Sequence, residues 1–250
     1  MRMRKKKNGA QRLQNCEQFL ATMPDFPLEN SEYHFGRIAP IFLEIGAGKG
    51  GFALQMSRRH PEAVYYAMER VSDCVVLAVE EAQRTAEERP DNLRFVIGNA
   101  DNLTSYFAPN SIDALFLNFS DPWSKKGYRK RRLTYRRYLA MYFTLLKEGA
   151  TLTFKTDNVG LFDFSLEEIE AMGLVPEVVT RDLHASEWNI DNIMTEYERN
   201  FTEQGMKINM LRVRRPVGYT PVYIEEKAKT STETPDTTES GTVCENVEVN

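Results

Sequence analysis

Short apolar runs recur along this chain, and in the stretches between them apolar residues return every third or fourth position. Segments 41–45 (IFLEI), 64–68 (VYYAM), 93–97 (LRFVI), 113–118 (DALFLN) and 151–155 (TLTFK) have the length and composition of buried strands. The intervening periodicity predicts helices from about Gly50 to Arg59 and over 73–88, where Val75, Val79, Ala82 and Ala86 form one stripe. Further helices are predicted over 132–146, stopped by Gly149, and over 164–173. Two last strands, 175–181 and 207–213, are separated only by a surface segment at about 183–205, so they can pair antiparallel at one edge. Alternating strands and helices imply an α/β fold, a mostly parallel sheet with helices on both faces and an antiparallel edge. No internal repeat is visible. The pattern divides the chain into an N-terminal arm over 1–35, one domain over 36–220 and a tail over 221–250.

Charge sharpens this division. The 250 residues carry a formal charge of −4, yet 225–250 hold seven acids against two lysines, which leaves 1–224 at +1. The tail is rich in Thr, Ser and Glu without aromatics, a composition that reads as disordered. The arm begins MRMRKKK, but the polar stretch after it excludes a signal peptide, and no apolar run is long enough to span a membrane. The three cysteines, Cys16, Cys74 and Cys244, are far apart, and His34, His60 and His184 are equally scattered. That argues against a metal site or a disulfide framework and for a cytoplasmic protein. The sequence leaves open a monomer or a homodimer.

In parallel α/β sheets, ligands bind beyond the carboxyl ends of the strands, so the residues just after each strand carry the chemistry. LEIGAGKGG (43–51) contains Gly46, Gly48 and Gly51 in the spacing of a nucleotide-binding turn and lacks the phosphate-loop pattern. Glu44 lies two residues before the first glycine, badly placed for a pyrophosphate and well placed for a cationic ligand such as the methionine part of S-adenosylmethionine. Glu69 ends the second strand, where a carboxylate can accept both ribose hydroxyls of an adenosine cofactor or merely face solvent. Asn99 can reach an adenine edge after the third strand, and Asp101 competes for that role.

The fourth strand ends in SDPW (120–123), where Pro122 biases Asp121 toward an extended backbone and so aims its carboxylate. Six cations follow within eight positions: Lys125, Lys126, Arg129, Lys130, Arg131 and Arg132. Cations at a helix entry oppose the helix dipole, so their density points to an anion, of which nucleic-acid phosphate is the obvious kind. Asp157, in FKTDN, either faces the pocket or caps the next helix. In MTEYE, Thr195 and Glu198 have the spacing of a capping box, the preferred reading of that stretch from spacing alone.

Together LEIGAGKG, Glu69, SDPWSKKGYRKRRL, KTDN and MTEYE, in this order, resemble the bacterial tRNA (guanine-N7-)-methyltransferase family over roughly residues 1–215. The resemblance implies an S-adenosylmethionine-dependent methyltransferase fold acting on a guanine in the variable loop of tRNA. It implies cofactor contacts at Glu44, Gly46, Gly48, Glu69, Asn99 and Asp121, with Asp121 also catalytic. Substrate contacts are implied at Lys125, Asp157, Thr195, Glu196, Tyr197 and Glu198. Gly127, Tyr128, Arg129, Lys130, Arg131 and Arg132 are implied to form an RNA-contacting loop, and no metal is expected. The tail after about 225 lies outside the family pattern. Other readings are methylation of an exocyclic base amine, RNA binding without catalysis on the same fold, and an NAD-dependent oxidoreductase, which leaves the cations unexplained.

Overall fold

The computed structural model describes residues 4–85 and 91–222. The expected disordered tail therefore lies, apart from its first two residues, outside the described residues, as do Ala86 and the end of the 73–88 stretch. Among the described residues one sheet contains β1 (Ile41–Ile45), β2 (Val64–Glu69), β3 (Leu93–Ile97), β4 (Ile112–Asn118), β5 (Leu146–Thr156), β6 (Val178–Thr180) and β7 (Asn209–Arg214). The helices are α1 (Gly9–Gln14), α2 (Glu32–Phe35), α3 (Gly51–Arg59), α4 (Ser72–Arg84), α5 (Leu103–Tyr106), α6 (Arg136–Leu145), α7 (Val159–Ala171) and α8 (Glu196–Thr202).

The strand order is β3-β2-β1-β4-β5-β7-β6. The first five strands run parallel, and β7 pairs antiparallel with both β5 and β6, the edge arrangement that the surface segment 183–205 left open. Because helices cover both faces, central strands are continuously apolar rather than alternating. Successive side chains still point to opposite faces. Tyr66 and Leu43 join the layer of Tyr142, Phe143, Phe154 and Phe162, whereas Tyr65 joins that of Phe19, Phe52, Val79 and Phe95.

Three boundaries differ from the sequence expectation. The helix expected over 132–146 begins only at Arg136, because Arg132 and Tyr135 have extended backbones (ψ 134° and 142°) after the 3₁₀ turn of Lys126–Arg131. Gly149 does not stop that helix. It lies inside β5, which starts at Leu146, with φ of +78°, near an irregularity in the β4–β5 register. α7 starts five residues early, at Val159, because the Asn158 side chain accepts the Leu161 N–H at 2.8 Å and caps it.

The stretch read as a basic arm packs along the sheet. Ala21 N–H donates to the Phe95 carbonyl at 2.9 Å and Leu28 N–H to that of Tyr106 at 2.9 Å, while Phe19 and Leu28 are buried. Arg12 makes a two-pronged contact with Glu80 on α4, at 2.6 and 2.7 Å.

The turn between β1 and α3 uses glycine for space as well as for conformation. Gly46, Gly48 and Gly50 all have positive φ. A Cβ on Gly50 would lie 2.6 Å from Cε1 of Phe95, whereas one on Gly51 meets nothing within 4 Å. Gly50, outside the motif spacing, is thus the position that lets α3 seat on the sheet. Gly50→Ala combines a left-handed backbone with overpacking and should lower stability by roughly 2–5 kcal/mol. The chemical-denaturation midpoint measures this, and a change under ~0.5 kcal/mol would show that the turn has slack.

Candidate active site

β1, β4 and β5 deliver a charged cluster to the carboxyl edge of the sheet. Glu44 pairs with Phe116 in register, Asn118 follows two positions later on the same face, and Lys155 is the register partner of Asn118. The Glu44 carboxylate is 2% exposed, and its Oε1 accepts from Asn118 Nδ2 at 2.9 Å. Burial pushes its pKa up to about 7, against the opposing effects of the Asn118 hydrogen bond and the Lys155 charge. Lys155, 3% exposed, donates to Glu198 Oε2 at 2.7 Å. Burial pushes the lysine down in pKa, while Glu198 and Glu44 push it back up.

Three buried polar atoms at these strand ends have no hydrogen-bond partner: Oε2 of Glu44, Oδ1 of Asn118 and Oγ of Ser120. Buried orphan acceptors are costly, so their convergence marks a seat for a ligand with donor groups. A carboxylate oxygen, an amide oxygen and a hydroxyl together suit a cationic amine. The residues present therefore fit the amino-acid end of S-adenosylmethionine.

A cleft of about 500 Å³ opens beside this seat, and its lining includes Gly46, Glu69, Asn99, Asp101, Asp121 and Tyr138. Glu69 uses both oxygens within the turn. Oε2 accepts from Gly48 N–H at 3.0 Å and Oε1 from Val71 N–H at 2.8 Å, so it anchors the glycine loop as well as facing the cleft. Asn99 and Asp101 are linked, Nδ2 to Oδ2, at 2.9 Å. Asp101 is also held by Arg137 at 2.8 Å and Tyr138 at 3.0 Å. Burial alone would raise its pKa, and the three hydrogen bonds together take it below the ordinary carboxylate value. With Asp101 committed to α6, Asn99 is the freer of the two for an adenine edge.

The Asp121 loop is bracketed by two aromatic residues in the left-handed region, Phe119 (φ 51°) and Trp123 (φ 42°). Bulky residues persist there only where their surroundings over-determine the backbone. Asp121 is exposed, and its Oδ1 accepts from Trp123 N–H at 3.0 Å, closing the turn. Arg131 lies over Trp123 and Tyr128, 5.1 and 4.6 Å from the ring centroids. Arg132 turns inward instead: its Nε donates to the Pro122 carbonyl at 2.9 Å and its guanidinium covers Phe164 at 4.4 Å. It braces the loop rather than extending the outer cationic surface. Lys125, Gly127, Tyr128, Arg129 and Lys130 are exposed, and Lys130 and Arg131 also line the cleft.

Beyond Asp121 lies the α8 segment. Thr195 and Glu198 form the expected capping box, and both are buried. Tyr197 is 53% exposed, with its ring 5.5 Å from Phe119 and 4.7 Å from Phe201. Its hydroxyl pKa is raised, first by desolvation and then by the charges of Asp157 and Asp121. Asn158, not Asp157, caps α7. Glu196 pairs with Lys49 of the glycine loop at 2.7 Å. Sequence reasoning assigned no role to Asn118, Phe119, Arg137 or Tyr138, and noted Lys155 only as a strand-end residue. A lysine inside the apolar run TLTFK was the one available signal for Lys155.

The family model described as "Putative methyltransferase" matches residues 38–211. The chain is 37% identical over 211 residues to a tRNA (guanine-N(7)-)-methyltransferase of Latilactobacillus sakei, covering 84% of this chain and 98% of that protein. It is 43% identical over 174 residues to one of Halalkalibacterium halodurans, covering 70% of this chain and 77% of that protein. Among solved structures, an antibiotic-related methyltransferase, 15% identical, superposes with a TM-score of 0.55 over 77% of this chain and 98% of its own, a likeness of fold. By sequence over nearly the whole sheet, this chain belongs to the tRNA (guanine-N7-)-methyltransferase family.

Proposed function

We propose that the chain transfers the methyl group of S-adenosylmethionine to N7 of a guanine in the variable loop of tRNA. The observation that carries this reading is a shared rim: Asp121, Lys130 and Arg131 line the same cleft that begins at Gly46 and Glu69. One wall suits an adenosine cofactor with a cationic amino-acid end, and the opposite rim suits phosphate.

S-adenosylmethionine supplies, when bound, a methyl carbon already activated by its sulfonium. Guanine N7 carries an in-plane lone pair and no proton, so no residue has to act as a base. The protein's task is alignment, which can supply up to roughly 7–11 kcal/mol. Asp121 orients the purine through its N–H edge and offsets the positive charge that builds on the ring. Tyr197 supplies a flat face beside it, Asp157 flanks that face, and Lys125 begins the phosphate-binding loop. Glu44 with Asn118 holds the cofactor's ammonium, Glu69 its ribose and Asn99 its adenine. tRNA is the macromolecular partner, and the protein works in the cytoplasm. No helix among the described residues is long and apolar enough to cross a membrane.

Asp121→Asn keeps size and one acceptor while removing charge. It should lower kcat by about 10²-fold while leaving tRNA affinity nearly unchanged, since phosphate contacts dominate binding. Unchanged turnover at saturating cofactor, with labelled methyl groups counted on bulk tRNA, would remove Asp121 from the mechanism. Mapping the methylated base in the same reaction tests the N7 position and the variable loop.

Glu44 gives a pH dependence. Only its ionised form attracts a cationic amine, and in the free protein it ionises at about 7. Cofactor affinity should therefore fall as pH drops below that value, approaching about tenfold per unit. Calorimetry should show proton release on binding near neutrality. In Glu44→Gln the affinity should be weaker and flat over the same range. A wild-type affinity independent of pH between about 5.5 and 7.5 would contradict this role.

For the basic loop, the cleanest substitutions avoid Arg132, which braces Pro122 and Phe164. Replacing Lys125, Arg129 and Lys130 together with alanine should weaken tRNA binding and reduce the slope of log affinity against log salt by about 0.7–0.9 per lost phosphate contact. Cofactor affinity should hold. Filter binding across a salt series decides, and an unchanged slope in the folded variant would mean a solvated face.

A further inference from the structure

The resemblance implies that Glu198 contacts substrate, but its surroundings leave it no room to do so. Oε2 takes Lys155 Nζ at 2.7 Å and the Thr195 N–H at 3.4 Å. Oε1 takes Asn192 Nδ2 at 2.6 Å and lies 3.0 Å from His184 Nε2. The Glu198 side chain is 0% exposed and that of Lys155 is 3% exposed. Lys155 completes its own set with Asn192 Oδ1 at 3.0 Å and the Ile193 carbonyl at 2.9 Å, and its ammonium sits 5.1 Å from the Phe52 ring centroid. A substrate group reaching Glu198 would have to break a fully coordinated buried ion pair, which leaves an uncompensated charge inside the protein.

The pair joins two parts of the site. Lys155 stands on β5 two residues before Asp157 and in register with Asn118, next to the cofactor seat. Glu198 is the N3 residue of α8, and its capping box fixes where that short helix begins. Tyr197 is its immediate neighbour, turned the opposite way toward Phe119 and solvent. An α8 of seven residues is too short to hold itself in place. Its position depends on what anchors it, and the anchor with the highest cost of breaking is Lys155–Glu198.

Taking the function proposed above as given, we propose that Lys155 and Glu198 are positioning residues. Their buried ion pair fixes α8 so that Tyr197 presents its ring beside Asp121 as a stacking face for the target guanine, and Glu198 never touches tRNA. Aromatic faces of this kind bind a base without reading its edge, and the flanking carboxylates are left to choose guanine.

Charge-pair rescue separates positioning from contact. Glu198→Gln alone strands the Lys155 ammonium and should lower kcat/KM for tRNA at least about tenfold, and Lys155→Met alone should do the same. The double variant Lys155→Met/Glu198→Gln removes both charges while the amide oxygen keeps an acceptor for Asn192 Nδ2, giving up only the long 3.4 Å contact with the Thr195 N–H. It should recover to within about threefold of wild type, because neutral replacement of a buried pair is often tolerated. A double variant as weak as Glu198→Gln would mean that the carboxylate itself meets substrate, and a fully active Glu198→Gln would mean that the pair positions nothing.

Hydrogen exchange on the unaltered protein tests the same idea without a variant. The amides of 196–202 should be protected in the absence of tRNA. Protection that appears only when tRNA is added would overturn the proposal. Wild-type protein that methylates no tRNA, yet shows a protected α8, would instead refute the proposed function and leave the anchoring intact.

Discussion

A carboxylate held out of water at the end of β1 sets the terms for the rest of this site. Glu44 cannot stay buried and ionised without compensation, and the neighbouring strands supply only part of it. Asn118 satisfies one oxygen, and Lys155 contributes its field while committing its hydrogen bonds to Glu198, Asn192 and the Ile193 carbonyl. The other oxygen, Oε2, has no hydrogen-bond partner in the protein. The parallel register of β1, β4 and β5 is what brings these three side chains to one face, so the sheet's topology and the site's electrostatics are a single arrangement. A stronger internal partner for Glu44 would stabilise the empty protein and weaken its hold on a cationic ligand.

The two halves of the site meet at the Asp121 loop. On one side the glycine turn and Glu69 form a preassembled unit, since the carboxylate that faces the cleft also accepts the Gly48 N–H. On the other side Arg132 braces the loop from below while Lys125, Arg129 and Lys130 remain exposed. The basic block is therefore not uniform. Arg132 holds the corner in shape while other cations of the block lie at the surface, a division that charge density alone does not reveal.

Much of this was legible in the sequence because it rests on local rules. Continuous apolar runs gave the parallel strands, and the short connection before 207–213 gave the antiparallel edge. The residues after each strand end gave Glu44, Glu69, Asn99 and Asp121. What was not legible depends on long-range packing. Gly50 matters because Phe95, 45 positions away, lies where its Cβ would be. Lys155 matters because α8 folds back onto β5, and Glu198 reads as a plain capping residue until that contact is seen. Asp157 and Asn158 are equally good caps on paper, and only the backbone geometry assigns the role to Asn158.

The N-terminal stretch has a consequence of another kind. An open sheet ends in two strands whose unpaired backbone groups can recruit a strand from a second molecule. Here β3 forms one margin, and residues 20–21 lie along it, with a bridge from Leu20 to Phe95 and a hydrogen bond from Ala21. At the other margin β6 has three residues, too few to template a partner. The stretch that carries the basic N-terminal residues thus also covers part of this edge. Truncating them to simplify the protein would trade a basic extension for an adhesive edge, and self-association would follow before any loss of chemistry.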